Sequence, residues 1–139
     1  MVIAQIRDER ARGRALDDIA VLYQHDRQGR ALRDALQAGG IACKLANGDG
    51  KSTLFLVKDS VKIVSMHSSK GLEFPLVIIP GLGEMPAPDG DEAAEARLLY
   101  VAMTRATERL LLIHRHDSVF SKRIRDSINE VQAQLDSAA

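Results

Sequence analysis

The stretch from Val61 to Phe74 contains the residues of this sequence that are best suited to binding chemistry. It begins with Val61, Ile63 and Val64, a β-branched run that is typical of a buried strand. A polar segment follows at once, and it contains Ser65, His67, Ser68, Ser69, Lys70, Gly71 and Glu73. Hydroxyl, imidazole and ammonium groups donate hydrogen bonds to anions, glycine permits a sharp turn, and a carboxylate accepts from sugar hydroxyls. These residue types predict a site for phosphates and a ribose, although a merely solvated loop has a similar composition.

A second stretch, from Glu95 to Ala106, ends with an arginine suited to binding phosphate. Arg105 is expected towards the end of a helix, where a cation also stabilises the negative helix terminus. A guanidinium group, however, offers a fork of donors that matches phosphate oxygens better than an ammonium group does. The residue types alone leave both interpretations of Arg105 open.

Three stretches of this sequence resemble conserved motifs of superfamily 1 DNA helicases of the UvrD, Rep and PcrA type. Residues 65–74, Ser-Met-His-Ser-Ser-Lys-Gly-Leu-Glu-Phe, closely resemble the fifth motif. Residues 95–106, Glu-Ala-Arg-Leu-Leu-Tyr-Val-Ala-Met-Thr-Arg-Ala, resemble the sixth, and residues 19–38 are similar to the fourth. The resemblance covers nearly the whole chain and corresponds to the C-terminal RecA-like domain, called 2A, of these enzymes.

By resemblance, the nucleotide-binding residues are Gln24, Gly71, Glu73 and Arg105. Arg105 matches the arginine that reaches across the interdomain cleft to the γ-phosphate of ATP, where it would be the catalytic cation. Glu73 matches the glutamate that accepts a hydrogen bond from the ribose. Gln24 follows Tyr23 at a position where the family usually has an arginine, so a second γ-phosphate cation is missing unless Arg27 or Arg30 replaces it.

By resemblance, the DNA-binding residues are Ser65, His67, Ser69 and Lys70, in a loop that lies along single-stranded DNA. Ser65 and His67 are the candidates for contact with the DNA backbone, whereas Lys70 also fits a role in shaping the loop. Arg97 and Tyr100 match positions of the sixth motif, but a buried salt bridge and a core aromatic ring explain them about as well. No metal-binding residue is predicted in this chain.

The composition fits one domain with an aliphatic core, since 45% of the 139 residues are hydrophobic and only 4% are aromatic. We expect residues 1–139 to form a single helicase motor domain that belongs to a larger chain. Nineteen basic residues balance nineteen acidic ones, so any contact with DNA depends on local charge. The lone cysteine, Cys43, is expected to be a small buried residue, and no run is long enough to span a bilayer, which favours a cytoplasmic protein.

The apolar pattern predicts strands that alternate with helices. Helices are predicted over residues 2–12, 27–39, 93–102 and 118–135, each with apolar residues at helical spacing. Strands are predicted at residues 19–23, 41–45, 61–64, 75–80 and 110–113, and an extended segment at residues 53–57. Residues 83–92 have the composition of a loop.

Residues 47–52 form a turn-rich connection that resembles a phosphate loop only in part. Gly50, Lys51 and Ser52 are consecutive, as in a Walker A loop. The full pattern needs a glycine where Leu45 stands, and it needs a helix to follow, whereas the next residues have an extended pattern. We therefore reject a Walker A loop in this chain.

The strands are nearly unbroken apolar runs, which predicts an α/β fold with a mostly parallel sheet covered on both faces by helices. The resemblance makes this a RecA-like, three-layer domain of the P-loop NTPase type that lacks its own Walker A loop. Ligands of such sheets gather at the carboxyl ends of the strands. Gln24, the loop from Ser65 to Gly71 and the segment near Gly81 are therefore expected to converge.

The resemblance implies the C-terminal motor domain of an ATP-dependent DNA helicase that moves 3′ to 5′ on single-stranded DNA, in repair or replication. An N-terminal motor domain would be its partner and would supply most of the site for ATP and Mg²⁺. The chain alone, without Walker A and B, is expected to be a monomer that does not hydrolyse ATP. The 2B insertion of many relatives is absent between Ala46 and Val61, which points to a reduced helicase or a helicase-like ATPase. The alternative is a helicase-derived module that docks DNA or protein without ATPase activity.

Overall fold

The computed structural model describes residues 1–46 and 51–138, which form five α-helices and five strands. The helices are α1 (Val2–Ala11), α2 (Asp26–Ala38), α3 (Lys51–Leu54), α4 (Glu92–Met103) and α5 (Val119–Ala138). The strands are β1 (Ile19–Tyr23), β2 (Cys43–Leu45), β3 (Val61–Ser65), β4 (Phe74–Ile79) and β5 (Ala106–Leu112). Short 3₁₀ turns occupy Leu16–Asp18, His67–Ser69 and Leu82–Glu84.

The strands form one sheet in the order β2-β3-β1-β4-β5, and every pairing is parallel. The central strand β1 is buried at each residue from Ile19 to Tyr23. A strand that is covered on both faces needs apolar side chains at successive positions, which is why the run does not alternate with polar residues. The predicted α/β fold with a parallel sheet is confirmed.

Helices cover both faces of the sheet, as predicted. The core on one face contains Ile6 of α1 and Leu36 of α2. The core on the other face contains Leu99 of α4 and Phe120 of α5. Successive residues of β1 contribute to the two cores in turn, because neighbouring side chains of a strand point to opposite faces.

The common direction of the strands gives the sheet two distinct ends. We call the end at which Tyr23, Ser65 and Ile79 terminate their strands the carboxyl end, and the end at which Phe74 and Ala106 begin theirs the amino end. Five residues of β1 at about 3.3 Å each separate the two ends by about 16 Å. Helices α2 and α4 and the connection formed by residues 66–73 each return from the carboxyl end of the sheet to the amino end.

A buried lysine, Lys62, joins two segments of the chain at the amino end of the sheet through hydrogen bonds. Lys62 of β3 is 1% exposed, and its Nζ donates to Asp17 Oδ1 at 3.0 Å, to the Val57 carbonyl at 2.6 Å and to Ser60 Oγ at 2.8 Å. The Asp17 carboxylate also accepts hydrogen bonds from the backbone N–H groups of Asp59 and Ser60, at 2.9 and 3.1 Å. These acceptors satisfy the ammonium group, and they tie the chain before β3 to the turn before β1.

A second buried charged residue, Glu9, connects α1 to the rest of the domain through ion pairs. Glu9 is buried, accepts a hydrogen bond from Arg14 Nε at 3.0 Å and pairs with Arg109 of β5. Arg14 also pairs with Glu108 at 2.8 Å. Two guanidinium groups compensate the desolvated carboxylate, so the network holds α1 against the outermost strand.

The extended segment predicted at residues 53–57 is wrong. Lys51–Leu54 form the short helix α3, and the Leu56 N–H donates to the Thr53 carbonyl at 3.1 Å. Only Leu54 enters the core, while Leu56 and Val57 are exposed, so this apolar run has no buried sheet face to occupy. Of the turn-rich connection predicted at residues 47–52, residues 47–50, which include part of the rejected phosphate loop, lie outside the described residues. Lys51–Leu54 form a helix, contrary to the prediction.

Two predicted strands differ from the observed ones by two residues or more at one end. The strand predicted at residues 41–45 contains only Cys43–Leu45. The last strand begins at Ala106, because the polar residues Thr107 and Glu108 lie on the exposed outer strand of the sheet, where they need no apolar neighbour. Arg105 therefore lies in the turn between α4 and β5, and not within a helix. Cys43 is partly exposed, where a buried residue was predicted.

Candidate functional site

Glu73 and Arg105 lie side by side at the amino end of the sheet. Phe74 of β4 is paired with Ala106 of β5, so the residues that precede them are also neighbours. The Phe74 N–H donates a hydrogen bond to the Arg105 carbonyl at 2.9 Å. Adjacent strands are about 4.8 Å apart, which brings an exposed carboxylate and a guanidinium group within reach of one ligand. Gly71, just before them, has a φ of +83°, a conformation that favours glycine.

The guanidinium group of Arg105 rests on neutral oxygens. Its Nε donates to the Val101 carbonyl at 3.1 Å, its Nη1 to the Leu72 carbonyl at 3.3 Å and its Nη2 to Thr104 Oγ1 at 3.2 Å. None of these three acceptors is charged, so none of them neutralises the positive charge of the side chain. Rotation of the half-buried side chain away from the Leu72 carbonyl would present the charge to an anion.

The predicted DNA-binding residues occupy the start of the connection between β3 and β4. His67 and Lys70 are exposed, whereas Ser65 is half-buried and its Oγ accepts a hydrogen bond from the Ser68 N–H at 3.0 Å. Ser69 is fully buried and its hydroxyl donates to the Met66 carbonyl at 2.7 Å. The burial of Ser69 favours a role in shaping the turn over direct contact with a ligand.

Gln24 lies at the carboxyl end, directly after β1. Its Nε2 donates to Glu95 Oε1 at 2.8 Å, and Glu95 is only 7% exposed. The Glu95 carboxylate also accepts a hydrogen bond from the Ala87 N–H at 3.1 Å. Sequence reasoning did not select Glu95, although it is the acidic residue that opens the sixth-motif match.

The predicted convergence at the carboxyl end is confirmed for three segments. Gln24 after β1, Met66 after β3 and Gly81 after β4 line a common cleft of about 470 Å³. The connection after β1 goes to one face of the sheet through α2, and the connection after β4 goes to the other face through α4, so the cleft lies at a topological switch point. The far part of the predicted loop does not join it, because residues 71–73 reach the amino end.

The structure separates the predicted nucleotide residues into two groups. Gly71, Glu73 and Arg105 lie towards the amino end, and Gln24 lies at the carboxyl end. Arg27 and Arg30 are exposed in the first turns of α2, which also begins at the carboxyl end. These last three positions thus belong to the carboxyl end of the sheet, whereas Arg105 precedes β5 at the amino end.

The structural explanations offered for Arg97 and Tyr100 are wrong. Tyr100 is 69% exposed on α4, so it is not a core aromatic residue. Arg97 is exposed on the same helix, so it does not form a buried salt bridge. The buried residues of α4 are Glu95, Leu99 and Ala102, and Arg97 and Tyr100 lie on the solvent side.

Two further features are absent from residues 1–46 and 51–138. In that part of the chain, no group of three or more His, Cys, Asp and Glu side chains is arranged to hold a metal ion. Over the same residues, none of the helices combines the length and the apolarity needed to cross a membrane.

Residues 45–117, more than half of the chain, match the profile of the UvrD-like helicase C-terminal domain. The chain is 41% identical over 66 residues to the ATP-dependent DNA helicase PcrA of Staphylococcus aureus (strain NCTC 8325 / PS 47), with 41% of this chain and 9% of that protein covered. It is 37% identical over 86 residues to DNA helicase II of Escherichia coli (strain K12), with 57% of this chain and 12% of that protein covered. The chain thus spans about a tenth of the length of these relatives.

A solved structure has a similar fold. It is the C-terminal domain of a possible DNA helicase from Lactobacillus plantarum WCFS1, with a TM-score of 0.62 and 25% sequence identity. The similarity covers 85% of this chain and 65% of that one. The fold similarity therefore extends beyond the residues that match the family profile.

Proposed function

Because the chain belongs to the UvrD-like helicase C-terminal domain family, we propose that it is the C-terminal motor domain of an ATP-dependent DNA helicase. Residues 1–139 would form this one domain, as part of a larger assembly with an N-terminal motor domain. The observation that carries the proposal is the placement of Glu73 and Arg105 side by side at the amino end of the sheet, within the segment that matches the family.

The residues at the amino end fit a nucleotide held between two domains. The exposed Glu73 carboxylate accepts hydrogen bonds from ribose hydroxyls, and Gly71 lets the chain turn closely before it. Arg105 gives up the Leu72 carbonyl and directs its guanidinium fork to phosphate oxygens. Charge on a transferring phosphoryl group is stabilised in this way without any covalent step by the protein.

ATP with Mg²⁺ would be bound mainly by the N-terminal motor domain, which supplies the phosphate loop and the metal-binding acids. This chain would complete that site when the two domains close.

Single-stranded DNA would contact the start of the connection between β3 and β4. His67 and Lys70 are exposed there, and Ser65 lies at the end of β3. Contacts of these side chains with phosphates are independent of base sequence and weaken as salt is added. Closing and reopening of the two domains would move this grip along the strand, in the 3′ to 5′ direction by family resemblance.

The test is DNA-stimulated ATP hydrolysis by this chain joined to or mixed with its N-terminal motor domain. Replacement of a cation at the transferring phosphoryl group should lower kcat by about 10³-fold or more, so we expect this loss for Arg105→Ala. Binding of single-stranded DNA should be retained, and Arg10→Ala, which removes an exposed arginine of α1, should leave kcat unchanged. Equal turnover with and without Arg105, or no turnover in the wild type, would favour the module that docks DNA or protein without ATPase activity.

A further inference from the structure

We infer that Gln24 is a positioning residue, which acts through Glu95 to fix the start of α4 and hence the place at which α4 delivers Arg105. The inference rests on the proposed role of Arg105 at a phosphoryl group. It assigns to Gln24 a function that does not require it to touch the nucleotide.

The first step is the environment of Glu95. Its carboxylate is 7% exposed, and its donors are both neutral: the Gln24 amide at 2.8 Å and the Ala87 N–H at 3.1 Å. Glu95 is closely enclosed, since a Cβ atom added at Gly90 would overlap Glu95 Oε2. A desolvated carboxylate depends strongly on the donors it has, so loss of the Gln24 amide would displace the Glu95 side chain or admit water.

The second step is the attachment of Gln24 itself. It follows β1 directly, and its backbone N–H donates to Gln28 Oε1 at 3.1 Å. Gln28 also caps α2 and donates from Nε2 to Glu84 at 2.8 Å. Gln24 is therefore fixed to the central strand, and its bond to Glu95 joins that strand to α4.

The third step is the transfer of position along α4. Glu95 is in the first turn of α4. The helix ends at Met103, and Arg105 is two residues further along the chain. At 1.5 Å per residue the two lie about 15 Å apart along the helix direction. A continuous helix moves as a stiff unit, so a shift at Glu95 reaches the Val101 carbonyl and the Arg105 side chain that rests on it.

This position also has a charge requirement. An arginine at residue 24 would form a charge-assisted bond with Glu95. A glutamate at residue 24 would place two carboxylates together in a desolvated pocket, which is strongly unfavourable. If Glu95 is changed to glutamine in the Gln24→Glu variant, the pair again consists of one amide and one carboxylate. The carboxylate is then at residue 24 and the amide at residue 95.

The first experiment uses this chain alone and the reciprocal exchange. We expect Gln24→Glu to lower the midpoint of thermal unfolding by about 5 °C or more, and Gln24→Glu with Glu95→Gln to return within about 2 °C of the wild type. A double variant that is no more stable than Gln24→Glu would overturn the contact on which the inference depends.

The second experiment measures ATP hydrolysis by the assembled motor. Misplacement of a transition-state contact lowers kcat with little effect on KM, so we expect Gln24→Glu to reduce kcat about tenfold and the reciprocal double variant to restore it. Leu36→Ala, in the core on the other face of the sheet, should lower stability without changing kcat.

An Arg105→Ala variant measured alongside tells two failures apart. If Arg105→Ala abolishes turnover while Gln24→Glu leaves kcat unchanged, the positioning role is wrong and the proposed function stands. If Arg105→Ala has no effect, the proposed function fails and the positioning role fails with it. A kcat loss in Gln24→Glu that the double variant does not restore also overturns the inference, because it would come from a site other than Glu95.

Discussion

Asp17 gives the domain a pH dependence that can be traced to one residue. The N–H groups of Asp59 and Ser60, with the Lys62 ammonium group, lower the pKa of Asp17 to about 2 from the usual 3.8. A carboxylate whose pKa is lowered by folding stabilises the fold above pH 4, and this contribution is lost as the pH falls from about 4 to about 2. The side chain is 39% exposed, so we expect about 1 kcal/mol after screening by water.

Asp17→Asn tests this contribution. At pH 7 the substitution should lower the free energy of unfolding by on the order of 2 kcal/mol, because buried Lys62 loses its only charged acceptor among its described contacts. Urea unfolding at pH 7 and near pH 2.5 should show the difference from the wild type shrinking in acid. Asp18→Asn is the matched control, and a loss as large in that variant would contradict the assignment.

At the residue scale, the sequence predicted side-chain chemistry better than side-chain contacts. The acceptor and donor types of Glu73, His67 and Arg105 are visible in the sequence, and the structure leaves Glu73 and His67 exposed. The bond between Gln24 and Glu95 spans 71 positions, and no local pattern encodes a contact of that kind. The burial of Ser69 was also invisible, because it depends on how the turn packs.

Gly29 determines how closely α2 lies against the central strand. A Cβ atom at this position would lie 2.5 Å from Cζ of the buried Tyr23 ring. Glycine to alanine within a helix normally stabilises by up to about 1 kcal/mol, but overpacking typically costs about 1–3 kcal/mol, and the overlap here is severe. We therefore expect Gly29→Ala to destabilise the domain by about 1–2 kcal/mol.

Chemical denaturation measures this effect, and Gly81→Ala provides the comparison. The nearest neighbouring atom for a Cβ at Gly81 is Gln28 Nε2 at 3.4 Å, an ordinary contact with the end of a flexible side chain. This second variant should change the free energy of unfolding by less than about 0.5 kcal/mol. A stabilising effect of Gly29→Ala would mean that helix propensity outweighs the contact with Tyr23.

At the element scale, long runs with a clear period were predicted and short ones were not. The burial of β1 and β4 on both faces leaves a continuous apolar signal, and Gly39 and Gly40 mark the end of α2. The segment Thr53–Val57 has the same apolar composition, but most of it is exposed. Composition cannot distinguish an apolar run that enters a core from one that does not.

The last helix is only partly integrated into the molecule. Phe120 is 4% exposed in the core, whereas every residue from 125 to 138 is exposed, including Ile128 and Leu135. A chain that ends after Asn129 should therefore unfold within about 2 °C of the full chain. Phe120→Ala should instead cost about 3 kcal/mol or more, since it empties a packed site.

Thermal unfolding followed by circular dichroism distinguishes the two changes, because the shortened chain also loses helical signal without losing cooperativity. A large drop in the midpoint on shortening would contradict the exposure of residues 125–138. It would imply that the apolar residues of this segment are covered in solution.

At the scale of the whole molecule, the sequence predicted the fold class but not the division of its site between two ends. Alternating strands and helices determine a parallel sheet, and the motif match adds its identity as a helicase domain. The rule that ligands gather at the carboxyl ends placed Gln24 and Gly81 correctly at the cleft. It did not anticipate that Glu73 and Arg105 lie at the amino end, because the connection of residues 66–73 returns there without a helix of its own.

The burial of Lys62 makes this lysine a reporter of global opening. Acylating reagents attack only amines that solvent can reach, and the Lys62 amine is enclosed by the chain between Val57 and Ser60. Lys44, Lys58 and Lys122 have no such enclosure, since they are partly or fully exposed. In a timed labelling experiment read by mass spectrometry, those lysines would be modified in the native protein. The fraction of molecules modified at Lys62 would equal the fraction that had unfolded during the labelling time.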